Sequence, residues 1–427
     1  MKARQGWLLG YALFAAVFMA RTGAAADVLS TPTDTCGCST TETEKKAGEK
    51  KCASSEPLVS PAPEGASAVV TEKKPDMLEP LFVRPLTKIE AGRNDSNPQW
   101  SPLGTLIAFE RSAGDKKEIR IMDPDGIEIQ NVYYQLSDSG KESKFFFPGV
   151  YEEVSYNAGI TWSPGGERVV FMSNGGEGNY DLYLQELGGK AALRLTDHKE
   201  KDGQAHWSPV ADRIVFVSGR SGNGDIYVMD LAPRALTRLT RGGKAYLYPQ
   251  WSPDGRKLVM MHGSNENHDI ILIRDVSRPV ESLKALTTWG HDDLRPVWSP
   301  DGKKIAFYSN YNAAGDPKIW CIIVIAADGS DATEGEGLVA KVAATDVIPD
   351  VEAGPAWMPD SARIVYVKND RQEYNPIYIA DIRQKTNMPV KTDTKMNHDV
   401  SCSADGAIAF RAQVDQWDQI YLTRLKN

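Results

Sequence analysis

Residues 250–261 read QWSPDGRKLVMM, and residues 297–308 repeat almost the same phrase as VWSPDGKKIAFY. In both copies a tryptophan ends a short segment and a Ser-Pro-Asp-Gly turn follows it. Proline presets φ at the second turn position, aspartate bonds to its own backbone, and glycine accepts positive φ. Five blurred copies recur at spacings of 44 to 62 residues, which indicates a repeat fold. The seven anchor positions are Trp100, Trp162, Trp207, Trp251, Trp298, Trp357 and Cys402.

Each turn is followed by short β-rich runs with no room for a crossover helix. After Trp298, for example, come KIAFY and then KIWCIIVIA, and many copies add a weaker run that ends in Leu-Thr. Counting the segment that ends at the anchor, each unit has four strands, which must be antiparallel. Four short strands in each repeat predict an all-β fold, a seven-bladed β-propeller of four-stranded antiparallel blades. The anchor tryptophans are expected to pack between blades.

The ring must also close. The last unit ends at QIYLTRLKN without a fourth strand, whereas LFVRPLT at 81–87 precedes the first anchor. We therefore expect the N-terminal strand to complete the blade that contains Cys402. Six blades is the alternative if the Cys402 copy is not a blade.

The N-terminus has the pattern of a secretory signal peptide. Lys2 and Arg4 precede an apolar run, and Ala24 and Ala26 have the spacing of a cleavage site. We predict a signal peptide over 1–26, a disordered low-complexity tether over 27–80, and a propeller over 81–427. An uncleaved anchor is the alternative. No later run has transmembrane character, so no transmembrane segment is expected after cleavage.

The bulk composition excludes one class of partner. The formal net charge of −8 argues against nucleic-acid binding, which requires clustered Lys and Arg. Export would permit a disulfide from Cys52 to Cys36 or Cys38, with a metal site as the weaker alternative. The sequence leaves the state of these three cysteines open.

The phrase W-S-P-D-G-K/R, followed by DIYVMDL and LTRLT, resembles the WD40-like PD40 propeller repeats of the TolB family over roughly 81–427. TolB is a periplasmic component of a cell-envelope system, so the resemblance implies a periplasmic or secreted protein. Similar repeats occur in oligogalacturonate lyases and in prolyl oligopeptidase-type peptidases. The chain departs from TolB because a polar tether stands where TolB has an α/β domain. It also lacks the hydrolase motif of the peptidases.

Acidic and amide residues recur five positions before each anchor. If the loops that enter the first strands surround the channel mouth, these residues form an oxygen-rich ring there. Such a ring suits a cationic peptide or Ca²⁺, although Asp and Asn also simply favour turns. The predicted partner-binding positions are Asp95, Asn157, Asp202, Tyr246, Asp293, Glu352 and Asn397.

A second predicted contact is the loop that contains Phe145, Phe146 and Phe147, three aromatic residues in a polar insertion. Exposed, they would offer an apolar surface to a partner; alternatively, they fold back on the ring. His198, His291 and His398 precede first strands and could share the channel face. The resemblance to oligogalacturonate lyases, which use clustered histidines to hold a metal, makes them the candidates for an enzyme.

These observations favour an exported, non-enzymatic, monomeric scaffold that binds an envelope protein or peptide at the channel mouth. No catalytic residue and no obligatory cofactor is predicted, with Ca²⁺ in the channel as an option. The alternative is a metal-dependent polysaccharide lyase or hydrolase.

Overall fold

The computed structural model describes residues 77–426, except residues 115, 133–156, 176–178, 265–266, 312–317, 332–341, 351 and 372–373. The predicted signal peptide, the tether up to residue 76 with its cysteines, and the loop with Phe145, Phe146 and Phe147 lie outside the described residues. Within the described part, no helix is long and apolar enough to span a membrane.

The described residues form seven four-stranded antiparallel sheets. Blades 1 to 4 follow one another in the chain, each in simple up-and-down order. Their strands are β2 (Arg93–Trp100), β3 (Ile107–Ala113), β4 (Lys116–Met122) and β5 (Glu128–Val132); β6 (Asn157–Trp162), β7 (Arg168–Ser173), β8 (Asp181–Glu186) and β9 (Leu193–Arg194); β10 (Asp202–Trp207), β11 (Arg213–Ser218), β12 (Asp225–Leu231) and β13 (Arg234–Arg238); β14 (Ala245–Trp251), β15 (Leu258–Gly263), β16 (His268–Ile273) and β17 (Leu283–Ala285).

Blades 5 and 6 repeat this order, and blade 7 combines both ends of the chain. Helical structure in the described residues is limited to a 3₁₀ turn at Gly219–Ser221 and a one-turn helix at Pro279–Ser282. The remaining strands are β18 (Asp293–Trp298), β19 (Lys304–Ser309), β20 (Trp320–Ala326) and β21 (Val342–Val347); β22 (Ala356–Trp357), β23 (Arg363–Val367), β24 (Ile377–Asp381) and β25 (Thr386–Pro389); β26 (Lys395–Cys402), β27 (Ala407–Val414), β28 (Trp417–Leu425) and β1 (Pro80–Pro85).

The predicted fold and its closure are confirmed. The Cys402 copy forms a full blade, so there are seven blades and not six. Strand β1 pairs antiparallel with β28 from Pro80 opposite Leu425 to Pro85 opposite Tyr421. The first and last strands of the propeller thus share one sheet, and opening the ring requires breaking that pairing.

The core lies between blades. Second and third strands such as β11 and β12 are buried on both faces because a blade packs against a neighbour on each side. The anchor tryptophans occupy the expected interblade positions, with exposed fractions of 2% for Trp207 and 8% for Trp162. The indole N–H of Trp298 donates to the Gln250 carbonyl of the preceding blade at 3.3 Å.

Candidate functional site

Six of the seven predicted ring positions are buried. Asp95 is 3% exposed and accepts two bonds from the Arg111 guanidinium, at 2.7 and 2.9 Å. Asp202 is fully buried and accepts from Arg220 at 2.8 Å. Both carboxylates are consumed by cations of their own blade. Their geometry is that of structural ion pairs.

Most of the other predicted positions are also buried. Asn397 is fully buried and donates to the Asn375 carbonyl at 3.0 Å. Asp293 is fully buried and accepts from the Trp289 indole at 2.7 Å, and burial raises its pKa to about 8. Asn157 donates to the Lys117 carbonyl, and the ring of Tyr246 packs on that of His262. Only Glu352 of the seven positions is exposed.

A β-bulge explains this outcome. In six blades the pairing of the first strand slips by one residue, as between Gly203 and His206 in β10. One extra residue reverses the alternation of side chains, so positions that would share a face in a regular strand do not. The residue three before each anchor has positive φ in all seven blades. We call this set the bulge ring: Asn97, Gly159, Gln204, Tyr248, Arg295, Gly354 and Asp399.

A second set of buried acids joins the third and fourth strands within a blade. Asp225, at the start of β12, is 1% exposed. It accepts from Arg238 at 2.7 Å and from the Thr240 hydroxyl at 2.8 Å. Asp181 repeats the arrangement one blade earlier, with Arg194 at 2.6 Å and Thr196 at 3.2 Å. The sequence motifs DIYV and LTRLT therefore contain the residues of this network. We call the set Asp225, Arg238 and Thr240, with its repeat Asp181, Arg194 and Thr196, the internal latch.

The central channel contains a cavity of about 470 Å³. It is lined by the first strands of blades 1 to 5 and by Glu352 and Ala353, and it extends to the prolines that follow Trp100, Trp162 and Trp207. The cavity therefore lies toward the end where first strands finish. The sequence had placed the site at the opposite end, where those strands begin.

Two rings of side chains supply the polar lining. The first comprises four members of the bulge ring, Asn97, Gln204, Tyr248 and Arg295, and the second is the residue directly before the anchor, such as Gln99, His206 and Gln250. Some of these groups brace neighbouring blades. The Gln204 side-chain oxygen accepts from the Tyr248 backbone N–H at 2.8 Å, and the Thr161 hydroxyl accepts from the Trp207 N–H at 3.0 Å.

Arg295 is the cation of this cavity. Its guanidinium lies 3.8 Å from the centroid of the Tyr248 ring. Its charge acts on neighbours, because burial and then the positive field of Arg295 lower the pKa of His206 to about 4. The neutral imidazole accepts the Trp251 N–H on Nδ1 at 3.4 Å, which leaves Nε2 to carry the proton.

Carboxylates balance this charge from a distance. Burial first, and then repulsion from Asp399, raise the pKa of Asp350, while Arg295 opposes the shift. The pKa of Glu352 is also raised, by desolvation and by repulsion from Glu110. Glu352 is exposed and lines the cavity. The cavity therefore combines one cation with an acidic surrounding.

The three candidate histidines do not meet at one site. His398 is 5% exposed and lies 3.4 Å from the Asn375 amide, and burial and Arg411 lower its pKa to about 3. His291 packs edge-on against Tyr311, and His198 accepts the Glu200 N–H at 3.0 Å. In the described part of the chain, no three His, Cys, Asp or Glu side chains are grouped to hold a metal ion.

Sequence reasoning missed the bulge ring and Arg295, although a signal was present. Proline stands two residues before the anchor in four copies, at positions 98, 249, 296 and 355. Proline cannot donate to a strand ladder, so it marks bulges and edges. Asn97, Gly159, Gly354 and Asp399 are also residue types that accept positive φ.

Residues 150–337 match the family profile of the TolB beta propeller domain. None of the curated proteins compared with the chain matches it. Among solved structures, an oligogalacturonate lyase in complex with manganese superposes with a TM-score of 0.59 at 13% identity, covering 82% of this chain and 96% of its own. The oligogalacturonate lyase of Vibrio parahaemolyticus gives 0.58 at 11% identity, covering 80% and 93%. At these identities the likeness is one of fold.

TolB from Acinetobacter baumannii gives a TM-score of 0.45 at 18% identity. The match covers 70% of this chain but only 64% of that TolB, so the chain spans less than two thirds of its length. The match over 150–337 covers less than half of the chain, so it shows that these residues are similar to the TolB beta propeller domain. The seven four-stranded sheets show that the described residues form a β-propeller.

Proposed function

We propose that this protein is an exported, non-enzymatic scaffold that holds an extended polypeptide segment of an envelope protein in its central channel. The observation that carries the proposal is the cavity of about 470 Å³ between the first strands of five blades. Its volume is that of a pocket for a small ligand or a short peptide stretch. Its lining combines indole and proline with amide side chains, which suits a backbone that needs both apolar contact and hydrogen bonds.

The cell-envelope location rests on the resemblance to periplasmic TolB and on the signal-peptide pattern of residues 1–26. Cleavage after Ala26 would yield a mature N-terminus at Asp27. N-terminal sequencing of the protein recovered from a periplasmic extract tests this directly.

A lyase is the weaker alternative, because it depends on three histidines that lie apart. Ca²⁺ in the channel stays a prediction. Elemental analysis of the purified protein, before and after chelation, tests for both kinds of metal. Stoichiometric Zn or Mn would favour the enzyme, and stoichiometric Ca would favour an ion in the channel.

The test of the scaffold uses a channel-filling substitution. The Gln250 side chain lines the cavity, and its backbone is held in β14, so Gln250→Trp fills space without removing a side-chain bond. Gln384→Trp, in the exposed turn between β24 and β25, is the matched control. Capture of envelope polypeptides by immobilised protein is expected to fail for Gln250→Trp and to persist for Gln384→Trp. Equal capture by both variants would place the partner elsewhere.

A further inference from the structure

Arg295 is a buried cation without a direct partner. It is 6% exposed, and its Nε atom has no hydrogen-bond partner. Among the described residues, its side chain makes no ion pair and no hydrogen bond; its one polar contact is the face of the Tyr248 ring. Other buried arginines of the propeller are paired, such as Arg111 with Asp95. Burying an unpaired charge is costly, so this arrangement requires a reason.

The side chain is held in place from several sides. The stacking distance of 3.8 Å fixes one face of the guanidinium against Tyr248. The backbone of Arg295 has φ of 53°, a left-handed conformation that a long side chain seldom adopts. A Cβ at Gly354 would lie 2.9 Å from the Arg295 carbonyl oxygen, so glycine at that position makes room for this conformation. The guanidinium is thus preorganised rather than free to seek a surface partner.

The nearby acids explain how the charge is tolerated without satisfying it. The fields of Asp350 and Glu352 reach Arg295, but no carboxylate of the described residues lies within 4 Å of the guanidinium. Long-range attraction of this kind lowers the cost of burying the cation. This attraction does not supply a hydrogen-bond acceptor to the N–H groups of the guanidinium.

Two residues that line the cavity with Arg295, His206 and Gln204, carry side-chain N–H donors. The neutral His206 ring carries its proton on Nε2, and the oxygen of the Gln204 amide is already occupied by the Tyr248 N–H. Both residues line the same cavity as Arg295. A planar guanidinium flanked by neutral N–H donors matches an oxyanion, and a carboxylate can accept two parallel bonds from it.

We propose that Arg295 anchors a carboxylate of the polypeptide segment bound in the channel. The proposal rests on the proposed function and specifies the chemistry that the site selects. The carboxylate comes either from the C-terminus of the partner or from an Asp or Glu side chain within it. The two sources present the same group to the guanidinium.

The experiment compares matched synthetic peptides on the wild-type protein. Acetyl-Ala-Ala-Ala with a free C-terminus is paired with its C-terminal amide, and acetyl-Ala-Asp-Ala-amide with acetyl-Ala-Asn-Ala-amide. Affinities are measured by NMR titration. One of the two carboxylate peptides is expected to bind at least about tenfold more tightly than its neutral match, and which one does so identifies the source. Equal affinity within both pairs, or no measurable binding of either carboxylate peptide, overturns the proposal.

Variants test whether Arg295 is responsible for the preference for a carboxylate. Arg295→Met is expected to remove the preference for the carboxylate, and Arg295→Lys to retain part of it, because lysine keeps the charge without the planar fork. Arg241→Met, at an exposed arginine outside the cavity, is expected to retain it fully. An unchanged preference in Arg295→Met would also overturn the proposal. The wild-type comparison stays decisive if that variant does not fold.

The two proposals fail differently. If neutral and carboxylate peptides bind equally well and Gln250→Trp blocks them all, the channel binds polypeptide but Arg295 does not select a carboxylate. If Gln250→Trp captures its partner as the wild type does, the proposed function itself is wrong.

Discussion

Asp225 offers a quantitative test of the internal latch. Asp225→Ala removes a carboxylate that is 1% exposed and bonds to Arg238, Thr240 and Ser221. Breaking a buried ion pair by removing one partner destabilises a protein by about 3 to 5 kcal/mol. The Arg238 side chain is 30% exposed and can be rehydrated, so we expect the low end, about 3 kcal/mol.

The same strand provides the control. Asp230, at the other end of β12, pairs with Arg213 at 2.9 Å, but both side chains are about 40% exposed. Exposed pairs contribute about 0 to 1 kcal/mol, so Asp230→Ala should change stability little.

Differential scanning calorimetry of the three proteins measures the difference. Unfolding a propeller of roughly 350 residues releases about 0.7 kcal/mol per kelvin of entropy, so 3 kcal/mol lowers Tm by about 4 K. Asp230→Ala should shift it by about 1 K or less. Shifts of equal size in the two variants would refute the assignment of a structural role to Asp225 and its repeats.

Three further predictions concern Asp293, Gly354 and strand β1. Burial raises the pKa of Asp293 in the folded protein to about 8, far above its unfolded value, so the native state holds a proton that the unfolded state releases. The free energy of unfolding should therefore fall as the pH rises from 5 to 8. Urea titrations should show a smaller fall for Asp293→Asn. A Cβ at Gly354 would meet Val297 Cγ2 at 2.7 Å, whereas at Gly159 the nearest atom is 3.8 Å away. Both have positive φ, so Gly354→Ala should unfold at lower urea than Gly159→Ala, by about 1 to 3 kcal/mol, and equal midpoints would contradict the close approach. A chain that begins at residue 87 lacks β1. The backbone amides of its β28 should exchange hydrogen faster than those of a chain that begins at residue 77. Equal protection of β28 in the two chains would mean that β1 does not close the ring.

The architecture was predictable because its signals are local. The turn after each anchor and the apolar runs on either side define the blade, and the missing strand of the last unit pointed to residues 81–87. Strand β1 at Pro80–Pro85 occupies that place. Even Cys402, which lacks the tryptophan, could be assigned to a blade because SADG still forms the turn.

The site was less predictable because it depends on which way side chains point. Asp202 and Asp293 were predicted at the channel mouth from the loops that enter the first strands, but both side chains are fully buried. Arg295 was not predicted as a site residue because it lies in an ordinary strand sequence, DLRPVW. Its meaning depends on the absence of a partner, which only packing reveals.

The repeated acids also show how one residue type serves two purposes. Asp254 and Asp301 in the exposed turns bond to their own serine hydroxyls and backbone, as the turn chemistry predicts. Asp181 and Asp225, only a loop away, bind partly exposed arginines of the neighbouring strand. Counting acids along the chain therefore overstates the charge available to a partner.

The proposed function requires that a polypeptide enters the channel. Site-specific photo-cross-linking in intact cells tests it, with a benzophenone side chain placed at Gln250 in the channel or at Ile129, which is 58% exposed on the outer strand of blade 1. We expect a discrete adduct from position 250, mapped by mass spectrometry to one segment with a carboxylate, and none from position 129. Adducts from position 129 alone, or none from either position, would contradict it.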